Sequence, residues 1–215
     1  MSASQKDIVK VILIGESGVG KTNLIKIIKG EEFEEFEPST EAGTSLTKEI
    51  LVRGNKYTIQ IWDTIGQEKL RNLTKMFYNN SKIVIFVYDI TERKSFEEIN
   101  NYWVKDIEEK IGNDIIKGLI ANKIDLFLNE KVTEDEGEEY AKSIGAQFLL
   151  TSAKAYGPGK FEEFLIHLYE EYLDKNKANS PGRKNSKKNK NIVLKKDKNV
   201  GNNNNGSGGR RKKCC

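Results

Sequence analysis

Gly15-Glu16-Ser17-Gly18-Val19-Gly20-Lys21-Thr22 is the stretch around which the 215-residue chain is organised. It satisfies the pattern G-x-x-x-x-G-K-[ST] at every defined position. Residues 8–14 before it read Ile-Val-Lys-Val-Ile-Leu-Ile, an apolar, largely β-branched run suited to a buried strand. Residues 23–29 after it repeat apolar side chains at Leu24, Ile25, Ile27 and Ile28, as a helix packed on a sheet would. The glycines let the loop fold tightly, with successive N–H groups turned toward phosphate oxygens. The helix that begins near Gly20 adds its unsatisfied N–H groups and the positive end of its dipole. Glu16, Ser17, Gly18, Val19, Gly20, Lys21, Thr22 and Asn23 are therefore the candidate phosphate-binding set. Within it, Lys21 would reach the β- and γ-phosphates and the Thr22 hydroxyl would ligate Mg²⁺. A glycine-rich turn with a chance lysine is the plainer alternative; strand, motif and helix in register speak against it. The loop alone does not distinguish ATP from GTP.

The length allows one good-sized domain and an extension. The longest apolar run, Ile83-Val84-Ile85-Phe86-Val87-Tyr88, has the length of a strand and falls far short of a membrane span. Residues 1–6 lack the apolar core of a signal peptide, so a cytosolic-side protein is expected. The two cysteines, Cys214 and Cys215, stand last, and neither a disulfide framework nor an internal zinc site is expected. Charge is unevenly placed. Residues 175–213 hold fourteen Lys and Arg against one acid, Asp197, which leaves 22 basic and 31 acidic residues elsewhere. The net charge of +4 thus conceals an acidic body and a strongly basic tail, an asymmetry that points to a tail meeting an anionic surface.

Residues 30–44 are rich in Glu and contain Pro38, Ser39 and Thr40, the composition of a polar loop. Phe33 and Phe36 stand out there, and Phe36 reads as simple packing. Alternating patterns over 46–52 and 57–62, joined by Arg53-Gly54-Asn55, predict a hairpin and hence an antiparallel pair. The hairpin runs into Trp62-Asp63-Thr64-Ile65-Gly66-Gln67-Glu68. A carboxylate directly after a strand, at the sheet edge that carries the phosphate loop, suits Asp63 to hold Mg²⁺, and Gly66 leaves backbone room for a γ-phosphate. A helical stretch with Leu70, Leu73, Phe77 and Tyr78 follows, then a buried strand over 82–88 and a long helix over 95–111. The strand 116–121 delivers Asn122-Lys123-Ile124-Asp125, residues 134–144 are helical, and the strand 146–150 ends in Thr151-Ser152-Ala153-Lys154. Residues 161–173 form the last amphipathic helix; His167 within it, the only histidine, is structural or exposed. The alternation predicts an α/β fold with a doubly wound, mostly parallel six-stranded sheet, one strand antiparallel, and ligands at the carboxyl ends of the strands. Residues 1–174 are the domain, and 175–215 a low-complexity, disordered polybasic tail.

Four separated motifs coincide in order: GESGVGKT, WDTIGQE, NKID and TSAK. Together they resemble the Ras superfamily of small GTPases, with a P-loop G domain, over about residues 7–173. Ile59-Gln60-Ile61-Trp62, Phe77-Tyr78, Val87-Tyr88-Asp89-Ile90-Thr91 with Ser95-Phe96, and the Cys-Cys end look like the Rab branch. The resemblance implies GTP and GDP as ligands. Asn122 and Asp125 would read guanine, with the carboxylate accepting from N1–H and the 2-amino group, a donor pair adenine lacks. Lys123 would lie along base and ribose, Ala153 between Ser152 and Lys154 would give its N–H to the guanine oxygen, and Phe33 would cap the base. Thr40 matches the switch threonine that contacts Mg²⁺ and the γ-phosphate, with Thr44 as a competitor in another register. Gln67 matches the catalytic residue that orients the attacking water.

The same resemblance implies a switch held by Thr40 and the Gly66 amide while GTP is bound. Its partners would be an exchange factor, an activating protein that supplies an arginine in trans, effectors, and prenylation escort and dissociation-inhibitor proteins. Cys214 and Cys215 would carry geranylgeranyl groups, and two lipids with a basic stretch suffice to anchor a protein to the cytoplasmic face of an intracellular membrane. Nucleic acid is disfavoured as a partner, because the basic tail lacks interleaved aromatics.

Two departures qualify the pattern. Ile65 stands where the family usually has alanine, and Glu41-Ala42-Gly43-Thr44-Ser45 follows Thr40 where an aromatic normally ends the stretch, so Ser45 replaces it beside Trp62 and Phe77. Gln67 favours a slow enzyme that cycles as a switch. Ile65 and the altered segment favour the alternative, a membrane-anchored GTP-binding scaffold with negligible hydrolysis. A P-loop protein that uses ATP conflicts with Asn122-Lys123-Ile124-Asp125. A branched side chain between Asp63 and Gly66 crowds the attacking water, so Ile65→Ala is expected to speed single-turnover hydrolysis; identical rates in the two proteins refute the crowding.

Overall fold

The computed structural model describes residues 8–35, 43–63 and 78–178. Six strands build the sheet: β1 (Val9–Ile14), β2 (Thr44–Val52), β3 (Asn55–Asp63), β4 (Ser81–Asp89), β5 (Ile116–Asn122) and β6 (Ala146–Leu150). They lie in the order β2-β3-β1-β4-β5-β6. All neighbours are parallel except β2 and β3. The helices are α1 (Lys21–Lys29), α2 (Arg93–Glu98), α3 (Val104–Lys110), α4 (Glu134–Ser143) and α5 (Gly159–Ala178). This is the expected six-stranded, doubly wound sheet with one antiparallel strand.

Successive side chains of the central strands enter opposite layers, because a strand turns its residues to alternate faces. On one face Val11, Leu13, Ile85, Val87 and Ile120 meet Leu24 and Ile28 of α1 and Phe161, Phe164 and Leu168 of α5. On the other, Ile12, Ile14, Val84, Phe86 and Leu119 meet Phe96, Ile99, Trp103 and Ile107. β4 and β5 are buried on both faces over nearly their whole length, the cause of their largely apolar sequences.

The elements expected within the described residues are present, with instructive differences. The hairpin connection is two residues, Arg53 (φ 50°) and Gly54 (φ 78°), and Asn55 already pairs with Val52. Two consecutive left-handed residues make the type I′ turn whose twist matches the flanking strands. The single helix expected over 95–111 begins at Arg93 and carries a π-helical turn, Ile99–Trp103, between α2 and α3. There the Val104 N–H reaches back five residues to the Ile99 carbonyl. That wider turn keeps Ile99, Trp103 and Ile107 on one buried face. A 3-10 segment, Ile124–Asn129, follows β5 and was not expected. α5 continues to Ala178, so the first four residues assigned to the tail are helical; Lys175 Nζ donates to the Asp114 carbonyl at 2.8 Å. His167 is half-buried on α5. The helix expected around Leu70, Leu73 and Phe77 lies outside the described residues, as does Phe36.

Gly118 of β5 lets α5 settle on the sheet. A Cβ at this position would stand 2.9 Å from the ring of Phe164 and 3.1 Å from Leu168, both fully buried. Gly118→Ala is expected to lower stability by about 1–3 kcal/mol through overpacking, read as a lower denaturant midpoint at unchanged slope.

Candidate nucleotide-binding site

At the carboxyl edge of the sheet the chain after β1 passes the point where strand order reverses, with β3 on one side and β4 on the other. Most of the buried polar side chains among the described residues gather here, including Lys21, Asn23, Asp63, Asp89, Asn122, Thr151 and Ser152. Polar groups out of water need partners, and these find one another.

The loop from Gly15 to Gly20 owes its path to two glycines. A Cβ on Gly15 would meet the Val87 carbonyl oxygen at 2.2 Å. Gly20, left-handed at φ 97°, caps α1, and a Cβ there would meet Asn122 Nδ2 at 2.3 Å. Ser17 and Gly18 are exposed at the tip, and Val19 is buried. The Lys21 ammonium folds back over the loop and donates to the carbonyls of Gly15 (2.9 Å) and Glu16 (2.8 Å). Burial pushes its pKa down to about 8, while the charges of Asp63 and Glu16 oppose that fall. An ammonium so stripped of water is already desolvated for a phosphate. Thr22 Oγ1 donates to Asp63 Oδ2 at 2.7 Å. A hydroxyl and a carboxylate in contact are the hard oxygen donors that suit Mg²⁺, so these two residues fit the ion.

Asn122, 1 % exposed, joins two loops. Its Nδ2 donates to the Val19 carbonyl at 2.8 Å and its Oδ1 accepts from the Ala153 N–H at 3.2 Å. Lys123 follows in the left-handed conformation (φ 67°), with Nζ 2.7 Å from Asp89 Oδ2. The Ser152 hydroxyl donates to Asp125 Oδ1 and accepts from the Lys154 and Ala155 N–H groups. Lys154 Nζ stands 5.8 Å from the centroid of the Phe33 ring.

The arrangement is one edge on which the loop 15–20, the Thr22–Asp63 pair and the loops after β5 and β6, joined by Ser152 and Asp125, converge. Residues 10–172 match the Ras family model. The human Ras-related protein Rab-8B is 36 % identical over 178 residues, 80 % of this chain and 84 % of the relative. The chain belongs to the Rab branch of the Ras family. Ras-related protein RABC2b of Arabidopsis thaliana is 37 % identical over 164 residues, covering 75 % of this chain and 80 % of the relative. Human Ras-related protein Rab-21 reaches 40 % over 145 residues, which span 67 % of this chain and 64 % of that protein.

This Rab-family chain brings together Lys21, Thr22 and Asp63 in one group, and Val19, Asn122 and Ala153 in another. Thr44, the alternative to Thr40, opens β2 and pairs with Asp63 across the ladder. Ser45 is the cross-strand partner of Trp62, and Lys10 Nζ lies 4.7 Å from the Trp62 ring centroid. Thr40, Ile65, Gly66, Gln67, Phe77, Cys214 and Cys215 lie outside the described residues.

Two contributors were not singled out from sequence. Asp89 accepts from the Thr91 N–H and hydroxyl, each at 2.8 Å, while pairing with Lys123. Its place at the end of β4 beside a threonine, an Asx-turn signature, was the available signal. Trp103, 87 residues from Glu16, gives its indole N–H to Glu16 Oε1 at 3.0 Å. Nothing in its local pattern separates it from an ordinary core tryptophan. Trp103→Phe keeps the ring in the core and removes this donor to a carboxylate; a loss of about 1–3 kcal/mol by urea denaturation is expected.

Proposed function

We propose that this Rab-family chain is a guanine-nucleotide switch that binds GTP and GDP with Mg²⁺, hydrolyses GTP slowly and recruits effectors to an intracellular membrane in vesicle trafficking. The observation that carries this reading is the Asn122 side chain, hydrogen-bonded to the Val19 carbonyl on one side and the Ala153 N–H on the other. It makes a phosphate cradle and a base-reading loop into one rigid site. Asp125, steadied by Ser152, keeps acceptor capacity for the N1–H and 2-amino donors of guanine. Adenine would leave that remaining capacity unfilled, a discrimination worth several orders of magnitude.

In this mechanism the backbone N–H groups from Glu16 to Asn23 and the Lys21 ammonium bind the phosphates. Thr22, Asp63 and Thr40 would hold Mg²⁺, which would neutralise charge on the phosphates. Lys123 and Phe33 flank the base, and Ala153 donates to its oxygen, between Ser152 and Lys154. Gln67 orients the attacking water, and Thr40 with the Gly66 amide keeps the switch segments in their GTP arrangement until the γ-phosphate leaves. Without a partner's arginine, turnover is on the order of 10⁻⁴–10⁻² s⁻¹. An exchange factor, an activating protein, effectors, and escort and dissociation-inhibitor proteins are the partners. No helix among the described residues is long and apolar enough to cross a membrane. The membrane is met through geranylgeranyl groups on Cys214 and Cys215 and through the basic residues beyond the 1–174 domain.

Ile65 favours a second reading, a GTP-binding scaffold with negligible hydrolysis. Loading the purified full chain with GTP or ATP and Mg²⁺, and following bound nucleotide over hours, separates the readings. Selective retention of GTP with slow conversion to GDP is the expected result. GTP held intact, with hydrolysis gained in Ile65→Ala, supports the scaffold, and equal binding of ATP overturns both.

A further inference from the structure

Phe33, proposed above to cap the base, belongs to residues 31–35, which have no regular secondary structure. Such a segment needs side-chain partners to keep one position. One buried side chain supplies them. Asn23, 6 % exposed in the first turn of α1, donates from Nδ2 to the Glu34 carbonyl at 2.9 Å and accepts at Oδ1 from the Glu34 N–H at 3.2 Å. The carboxamide thus occupies both backbone groups of one residue, as a neighbouring strand would. A serine or alanine is too short to make both bonds.

Further contacts bear on the same few residues. Lys26 Nζ pairs with Glu34 Oε2 at 3.2 Å, and Lys154 Nζ lies 3.5 Å from Glu35 Oε1 and 5.8 Å from the centre of the Phe33 ring. Apart from Lys26 these charged groups are exposed, and pairs open to water contribute little. The Asn23 bonds are the sheltered ones. They also close a circuit. From α1 it runs through Asn23 to Phe33 and on to Lys154, whose N–H binds Ser152; Ser152 holds Asp125, and the neighbouring Asn122 returns to the phosphate loop at Val19.

We propose that the Asn23 side chain is a positioning residue, a latch that fixes Phe33 against the base pocket and must open before guanine nucleotide can leave. This rests on the nucleotide-binding reading above and adds to it a role in release. Asn23 sits directly beside the phosphate loop, so it couples the cradle at one end of the nucleotide to the aromatic cap at the other. An exchange factor that pulls residues 33–35 away from α1 would break both bonds at once.

The test is release of a fluorescent GDP from the full chain in the presence of excess GDP. Asn23→Ala removes both bonds. Asn23→Asp keeps the shape of the side chain and the bond from the Glu34 N–H but sets an oxygen against the Glu34 carbonyl. Each is expected to release GDP about tenfold faster, equivalent to about 1.4 kcal/mol. Faster release from a protein that is merely less stable would add to the effect of Phe33→Leu. A latch acting through Phe33 would not, so Asn23→Ala/Phe33→Leu should release GDP at the rate of Phe33→Leu alone. Unchanged release in Asn23→Asp, or full additivity in the double variant, overturns the latch while leaving the nucleotide site standing. Failure of the unaltered chain to bind GDP overturns both.

Discussion

The amide of Asn122 is the point on which this site depends. A single side chain with one donor and one acceptor group satisfies a carbonyl of the phosphate loop and an N–H of the loop after β6. These segments are far apart in sequence and come from opposite halves of the sheet. Buried amides are costly when unpaired, so the bond pair holds only if both loops stay in place. The same side chain leaves no space for a Cβ on Gly20, which is why the turn into α1 passes so close to β5.

Around this link the edge is a set of desolvated polar groups that restrain one another. Lys21 is held by two carbonyls of its own loop, Thr22 by Asp63, Lys123 by Asp89, and Asp125 by Ser152. Burying ionic groups costs desolvation that their pairing need not repay, and here the pairs fix the geometry of the edge. The two apolar layers supply the compensating burial. With the central strands β1, β4 and β5 buried between α1 and α5 on one face and residues 93–110 on the other, the loops rest on a packed floor. Glu16 shows how far that support reaches, since its carboxylate is tied to Trp103 through a π-helical turn on the second layer.

Ser45 gives this chain an edge of its own. It lies directly across from Trp62 on the β2–β3 pair, and its small polar side chain accepts from Gln60 at 3.4 Å. A partner that reads this surface meets Trp62 with Lys10 close to its ring, and no aromatic neighbour at 45. The family is therefore a poor guide to what this surface would meet, since function lives in the site and not in the fold.

Motif spacing and hydrophobic period determined most of this protein. The phosphate loop, the alternation of strands and helices, the antiparallel hairpin and the four motifs at strand ends were all legible, because each depends on residues near one another in the chain. The boundaries that shifted did so for tertiary reasons. Asn55 joined β3 because Arg53 and Gly54 alone complete a type I′ turn, and α5 ran on to Ala178, where Lys175 binds Asp114. The partners of the site residues were decided only in three dimensions. Asn23 reads locally as one more residue after a phosphate loop, Asp89 as the end of a strand, and Trp103 as core. Each acquires its role from a group between 11 and 87 residues away. Local pattern records which side chains a backbone can carry, and contact across the fold selects what they hold.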